Sequence, residues 1–260
     1  VFREIEQKEN ILRYDGPMAG IRHDQILAGL RERIRRIEGV GEAAGHGILA
    51  LGMEAVDRLL PEGGLALAGV HEVRGSGDGA ATGFCAALLA RLSRVDGRPI
   101  LWLERGEDLY MPGLARFGLK PGAVLTVSGI SRDADMLWAL EEALHCGALS
   151  AVVGEIRAAD FTASRRLQLA AEAGGVTALL LSEGQGGGAA TALSRWQVTS
   201  APSLGDGMPG VGWPCWQVEL VRCRNGRPAA WTVLWGQDGW AAVEGMTDGA
   251  ELNPGIRMMG

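Results

Sequence analysis

The chain has 260 residues, 47% hydrophobic and 22% charged, which excludes wholesale disorder and fits one α/β domain with appendages. Its net charge of −6 argues against strong nucleic-acid binding, no apolar run reaches the roughly 18 residues of a membrane span, and Val1-Phe2-Arg3-Glu4-Ile5-Glu6 has no apolar signal-peptide centre. Cys85, Cys146, Cys215 and Cys223 are scattered without a C-x-x-C pair, which points to a reducing, cytoplasmic setting rather than to zinc or disulfides.

Residues 1–20 are polar, carry Gly16-Pro17 and Gly20, and read as a loosely held leader. From Asp24 the spacing of Ile26, Leu27, Leu30, Ile34 and Ile37 predicts a helix with one apolar face. Its other face carries Arg31, Arg33, Arg35 and Arg36, either as a solvated surface or as an arm for a partner or for self-association. Residues 39–47 are a glycine-rich linker. The core then begins with a helix over 53–60, a turn over 61–65, a strand over 69–73, a Gly-rich loop over 75–83 and an apolar helix over 84–92. Strands over 100–103, 124–127, 151–153 and 177–181 follow, separated by helices over 111–117, 134–146 and 162–173. This alternation of apolar strands and helices predicts an α/β core with a mostly parallel sheet flanked by helices.

After Gln185-Gly186-Gly187-Gly188 helical periodicity ends. Strands are expected over 195–199, 216–222 and 230–235, the last two joined by a C-terminal β-hairpin at Arg224-Asn225-Gly226-Arg227. Residues 201–214, rich in Pro and Gly, read as a long loop. The expected division is a leader, helix and linker over 1–47, a core over 48–236, and a loosely ordered tail over 237–260.

One segment carries a chemical argument. A phosphate loop reads G-x-x-x-x-G-K-[ST] between a strand and a helix. Gly75-Ser76-Gly77-Asp78-Gly79-Ala80-Ala81-Thr82 has that context, that length and the final Thr82. The second glycine is Ala80, however, and the lysine is Ala81. The missing ammonium is the group that would offset charge on the β- and γ-phosphates. Only Lys8 and Lys120 are lysines, and neither lies here. Asp78 adds a negative charge, which at roughly 5 Å from a phosphate and an effective dielectric of about 20 costs about 3 kcal/mol per charge pair. Its carboxylate is expected instead to accept backbone N–H groups at the start of the following helix, in the anion's place. No cofactor is therefore expected, although weak nucleotide binding stays open. The strand over 151–153 ends in Gly154-Glu155 rather than in a magnesium-binding aspartate, and Glu104, Glu107 and Asp108 follow the strand over 100–103. His23, His46, His71 and His145 show no ligand spacing, and Ser164 and His145 are linked by no motif, so neither a metal site nor a nucleophile set is expected.

Several stretches resemble the RecA-type core: Leu51-Gly52-Met53-Glu54-Ala55-Val56-Asp57, Gly63-Gly64-Leu65, and His71-Glu72-Val73-Arg74-Gly75. Residues 101–127, with Leu109-Tyr110-Met111-Pro112 and Phe117-Gly118-Leu119, and the hairpin over 222–228 are similar to later parts of the same core. More specifically, Asp78-Gly79-Ala80-Ala81-Thr82-Gly83 and Thr162-Ala163-Ser164-Arg165-Arg166 resemble the ImuA family, the RecA-like proteins of bacterial SOS mutagenesis cassettes. So do residues 141–149 and 167–173, and the resemblance covers about residues 24–236. It implies a non-catalytic accessory factor, induced by DNA damage. Such a factor works with an ImuB-type polymerase-like protein and an error-prone replicative-type polymerase in translesion synthesis, and modulation of RecA is a further implication. Two other readings stay open: an ATP-binding or ATP-hydrolysing protein of the RecA or KaiC type, and a cell-division inhibitor like SulA.

Six of the eight tryptophans fall between Trp196 and Trp240. They form either a core cluster or a surface in which Trp213, Trp216, Trp231 and Trp235 combine with Arg222, Arg224 and Arg227, joined by Arg31 and Arg35 of the N-terminal helix. Such a surface would suit a protein partner, or stacking on single-stranded DNA, with any DNA binding weak or indirect.

Overall fold

The computed structural model describes residues 47–184, 189–205, 212–236 and 239–243. The expected leader, the helix from Asp24 with Arg31 and Arg35, and nearly all of the linker lie outside the described residues.

A two-stranded antiparallel ribbon, β1 (Ile48–Leu49) with β2 (Leu65–Ala66), precedes the main sheet. Between its strands lies α1 (Glu54–Asp57), shorter than the helix expected over 53–60. The reason is local. Asp57 turns its carboxylate back onto the N–H groups of Leu51 (2.7 Å) and Gly52 (2.9 Å), and Leu60 is extended ahead of Pro61.

The main sheet is built from β3 (Val70–Gly75), β4 (Ile100–Leu103), β5 (Val124–Val127), β6 (Ala151–Glu155), β7 (Thr177–Glu183), β8 (Ser194–Leu204), β9 (Trp213–Cys223), β10 (Ala229–Gly236) and β11 (Gly239–Val243). Its order is β11-β10-β9-β8-β3-β7-β6-β4-β5. From β8 to β5 every neighbouring pair is parallel, whereas β8 to β11 run as an antiparallel meander.

The helices are α2 (Ala80–Val95), α3 (Met111–Leu114), α4 (Asp133–Leu144) and α5 (Phe161–Gly174). They cover the sheet in two layers. One core joins α2 to Val73, Trp102, Val153, Leu181 and the meander, and the other joins α4 and α5 to Val70, Val152 and Leu180. The inner parallel strands β3, β4, β6 and β7 are buried on both faces, so they read as continuous apolar runs, whereas the edge strand β5 leaves Leu125 and Val127 exposed.

The helix expected over 111–117 is α-helical only over Met111–Leu114 and tightens to a 3-10 turn over Ala115–Phe117, and three other boundaries differ from expectation. The helix after the Gly-rich segment begins at Ala80 rather than at 84, which leaves only Ser76–Gly79 as loop. Strands β8 and β9 extend into the stretch expected to be a long loop, because Ala201 pairs with Cys215 and Leu204 with Trp213. The sheet also continues past residue 236: β11 pairs with β10 from Thr232↔Val243 to Gly236↔Gly239, where no order was expected.

Candidate functional site

The Gly-rich segment occupies the end of β3 and the start of α2, the position a phosphate loop takes in this topology. Gly77 and Gly79 hold φ of +80° and +79°, a conformation that favours glycine and turns the chain into the helix. The loop shape is therefore kept, but its chemistry differs. Ala81, at the lysine position, is buried. A Cβ added to Gly75 would come within 2.8 Å of the Ala81 methyl, so strand and helix meet closely there. Thr82 is half-buried.

Asp78 fills the centre. One carboxylate oxygen accepts the Ala80 N–H at 3.0 Å, and the other accepts the Ser200 N–H of β8 at 2.8 Å. The first bond takes up one N–H at the helix start, as expected, but from the position before the N-cap Gly79. The second could not be foreseen, because Ser200 lies 122 residues away. Partial burial pushes the Asp78 carboxyl upward, but the N–H groups of Ser200 and Ala80, helped by the Ser76 and Ser200 side chains, hold it at about 2. It is an anion held by backbone dipoles.

A second negative charge lies beside the loop, and further carboxylates close the neighbouring strands. Glu183, at the end of β7, lies beside Gly77, with Oε2 3.6 Å from where a Cβ would stand. Glu155, two positions past the expected end of its strand, closes β6. Its second oxygen accepts the Arg105 N–H at 2.8 Å. Burial pushes the Glu155 carboxyl up, Asp108 and Glu104 add to the rise, and the Arg105 N–H opposes it. Glu104 is buried and accepts the Leu109 N–H at 3.1 Å, so it caps the segment before α3. No group of three or more His, Cys, Asp or Glu among the described residues could hold a metal ion.

Arg74, the basic group nearest in sequence, is turned elsewhere, and so are Arg195 and Arg105. Arg74 donates to Glu72 at 2.7 Å, and Arg195 donates to the other oxygen of the same carboxylate at 2.7 Å. Glu72 is wholly buried between them. Arg105 donates to the carbonyl oxygens of Glu155 and Ser131 and pairs with Asp133. No ion pair among the described residues involves Ser76–Gly79.

The tryptophans resolve in favour of a core cluster. Phe84 of α2 sits 5.7 Å from Trp196, 6.4 Å from Trp216 and 5.4 Å from Trp240, centroid to centroid. Phe117 contacts Trp216 and Trp235. Trp216 and Trp235 are therefore not available as an exposed surface: they are 3% and 8% exposed, because the meander folds its inward face onto α2. Trp231 is half-buried against the same core, and Trp213 is half-buried at the start of β9. Arg222 and Arg227 are exposed, and Arg222 donates to the Ala190 carbonyl oxygen at 2.8 Å. Arg224 is half-buried, with Nη1 enclosed and unpartnered.

The remaining polar residues are structural. His71 joins the Ser194 hydroxyl and the Ala66 carbonyl oxygen, both at 2.7 Å, and burial lowers its pKa to about 4 against the pull of that carbonyl. Ser164 is buried, and its hydroxyl bonds that of Thr191 at 2.6 Å. Glu141 and Arg166 pair across α4 and α5.

Fold and loop together define a RecA-like α/β protein. The crystal structure of the RadB recombinase has the same fold, with a TM-score of 0.54 over 76% of this chain and 100% of that one at 15% identity. No family model matches the chain. The proteins named ImuA from two strains of Caulobacter vibrioides, NA1000 / CB15N and ATCC 19089, are each 38% identical over 205 residues, 72% of this chain and 82% of theirs. The chain belongs to the ImuA family.

Proposed function

We propose that this protein is a non-catalytic RecA-like accessory factor of damage-induced mutagenesis. In this reading it is an adaptor that joins an ImuB-type polymerase-like protein to an error-prone replicative-type polymerase in translesion synthesis, and it modulates RecA through contact rather than turnover. The ImuA kinship and the RecA-like fold support the setting. One observation supports the absence of catalysis: the loop that would cradle a triphosphate is closed by its own carboxylate, bonded to Ala80 and Ser200, with a buried alanine at the lysine position. A fold retained without its phosphate chemistry serves by its surfaces, so function is sought there. Among the sequence-derived surface residues, Arg222 and Arg227 of the hairpin meet that requirement, being exposed.

The test pairs two measurements on the full chain. Co-expression with an ImuB-type polymerase-like protein is expected to give a stable complex, and Mg-ATP titration by calorimetry is expected to show no saturable heat. Micromolar Mg-ATP binding with turnover, and no complex, would replace this reading with a RecA- or KaiC-type ATPase.

A further inference from the structure

At the C-terminal half of α2, a cavity of about 80 Å³ opens between the segment after β1, the helix, and the last two strands. Gly52, Arg91, Arg94, Trp235, Gly239 and Trp240 line it. Arg91 is fixed there: its Nε donates to the Ala50 carbonyl oxygen, and its guanidinium lies against Gly52, where a Cβ would come within 2.6 Å of Nη1. Gly52 holds φ of +82°, so a glycine suits both the turn and the contact. Arg94 follows three positions on, on the same side of the helix, and is exposed.

Neither arginine forms an ion pair among the described residues. Asp57, which bonds the lining residue Gly52, spends its carboxylate on the N–H groups of Leu51 and Gly52. Two indoles form part of the wall, Trp235 nearly enclosed and Trp240 half-buried. Trp235 and Trp240 meet edge to face at 5.7 Å, and their ring N–H groups are already bonded to the carbonyl oxygens of Arg116 (2.9 Å) and Leu51 (2.8 Å). Among the described residues the notch thus offers two guanidinium groups, indole surface and no acidic lining, in a chain whose net charge is −6.

That combination selects an anion with an apolar neighbour. Guanidinium groups favour carboxylate or phosphate, and the indoles favour a hydrocarbon surface. The cavity is too small for a nucleotide, since pockets for ligands of that size run from about 300 Å³ upward. A nucleic-acid backbone needs a run of cations along a track, and here two sit in a concave notch. We propose that this notch docks an acidic peptide segment of a partner protein, with one carboxylate between Arg91 and Arg94 and an adjacent apolar side chain against the half-buried ring of Trp240. The proposal goes beyond the adaptor reading, because it follows from the notch alone.

The test uses immobilised eight-residue peptides that alternate Asp or Glu with Leu or Phe, a matching set with Asn and Gln, and a single-stranded oligothymidine. The full chain is compared with Arg94→Glu and Arg94→Lys, with thermal melts to confirm that each variant is folded. The acidic set is expected to retain the wild type over the amide set. Arg94→Glu should weaken that retention by about tenfold or more, while Arg94→Lys keeps most of it. Equal retention of both peptide sets, no retention, or indifference to Arg94→Glu would overturn the proposal. So would Arg94-dependent binding of the oligonucleotide in place of the acidic set. If the peptides fail while the complex with the polymerase-like protein forms, the notch proposal falls and the adaptor reading stands. If the peptides bind and the complex does not form, the reverse holds.

Discussion

Replacing Asp78 by alanine removes the acceptor of two backbone N–H groups that belong to different elements, Ala80 of α2 and Ser200 of β8. The carboxyl sits at about 2 against an ordinary 3.8. By linkage that difference corresponds to about 2.4 kcal/mol. Asp78 is exposed, so solvent screening reduces the expected loss to about 1 kcal/mol. For a domain of this size that lowers the melting temperature by about 2–4 °C. Asp78→Asn, which keeps one carbonyl acceptor, should fall between the two. The pH dependence has a definite sign. A folded-state pKa below the unfolded one means the stabilisation is complete above about pH 5 and is lost as pH falls toward 2, with about half of it gone at pH 3. Thermal melts of wild type and Asp78→Ala across that range should therefore converge on acidification. Superimposable melts at pH 7, or a gap that widens in acid, would refute the claim that this carboxylate locks the loop.

Three further outcomes follow from the same contacts. Glu72→Gln leaves Arg74 and Arg195 facing an uncharged partner in a buried position and should cost roughly 2–4 kcal/mol, read by urea denaturation. Trp216→Ala opens a cavity beside Phe84 and Phe117 and should cost about 3–5 kcal/mol, with loss of near-ultraviolet circular dichroism. In a thiol titration of the native protein near neutral pH, Cys146, the exposed cysteine, should react fast. Burial pushes the Cys85, Cys215 and Cys223 thiols up, Cys223 to about 11, so those three should wait for unfolding. Cys146→Ser should abolish the fast phase.

The parallel half of the fold was legible because its signals are local. Continuous apolar strands at Ile100–Leu103 and Thr177–Glu183 announce burial on both faces, and Asn225-Gly226 announces the hairpin, where Asn225 takes φ of +60°. The altered phosphate loop was legible for the same reason, since all its residues are consecutive. The partner of Asp78 was not, because Ser200 reaches the loop only through the parallel pairing of β8 with β3. The tryptophans were ambiguous, because strand periodicity says which indoles share a face and not whether that face meets α2 or water. Strand β11 was invisible: Gly239-Trp240-Ala241-Ala242-Val243 has no alternation, and its pairing with β10 supplies the order.

The closing strand has a mechanical consequence. Tension applied beyond Val243 would meet β11 first, and its five register pairs with β10 would open in sequence, as a zipper does. The parallel strands at the centre would instead have to slide against one another with many bonds loaded at once. Peeling β11 also removes the Trp240 indole from Phe84 and from the Leu51 carbonyl oxygen, so it would bare aromatic surface and release the grip on the segment before α1. The outer edge is thus the seam along which this molecule would yield under load.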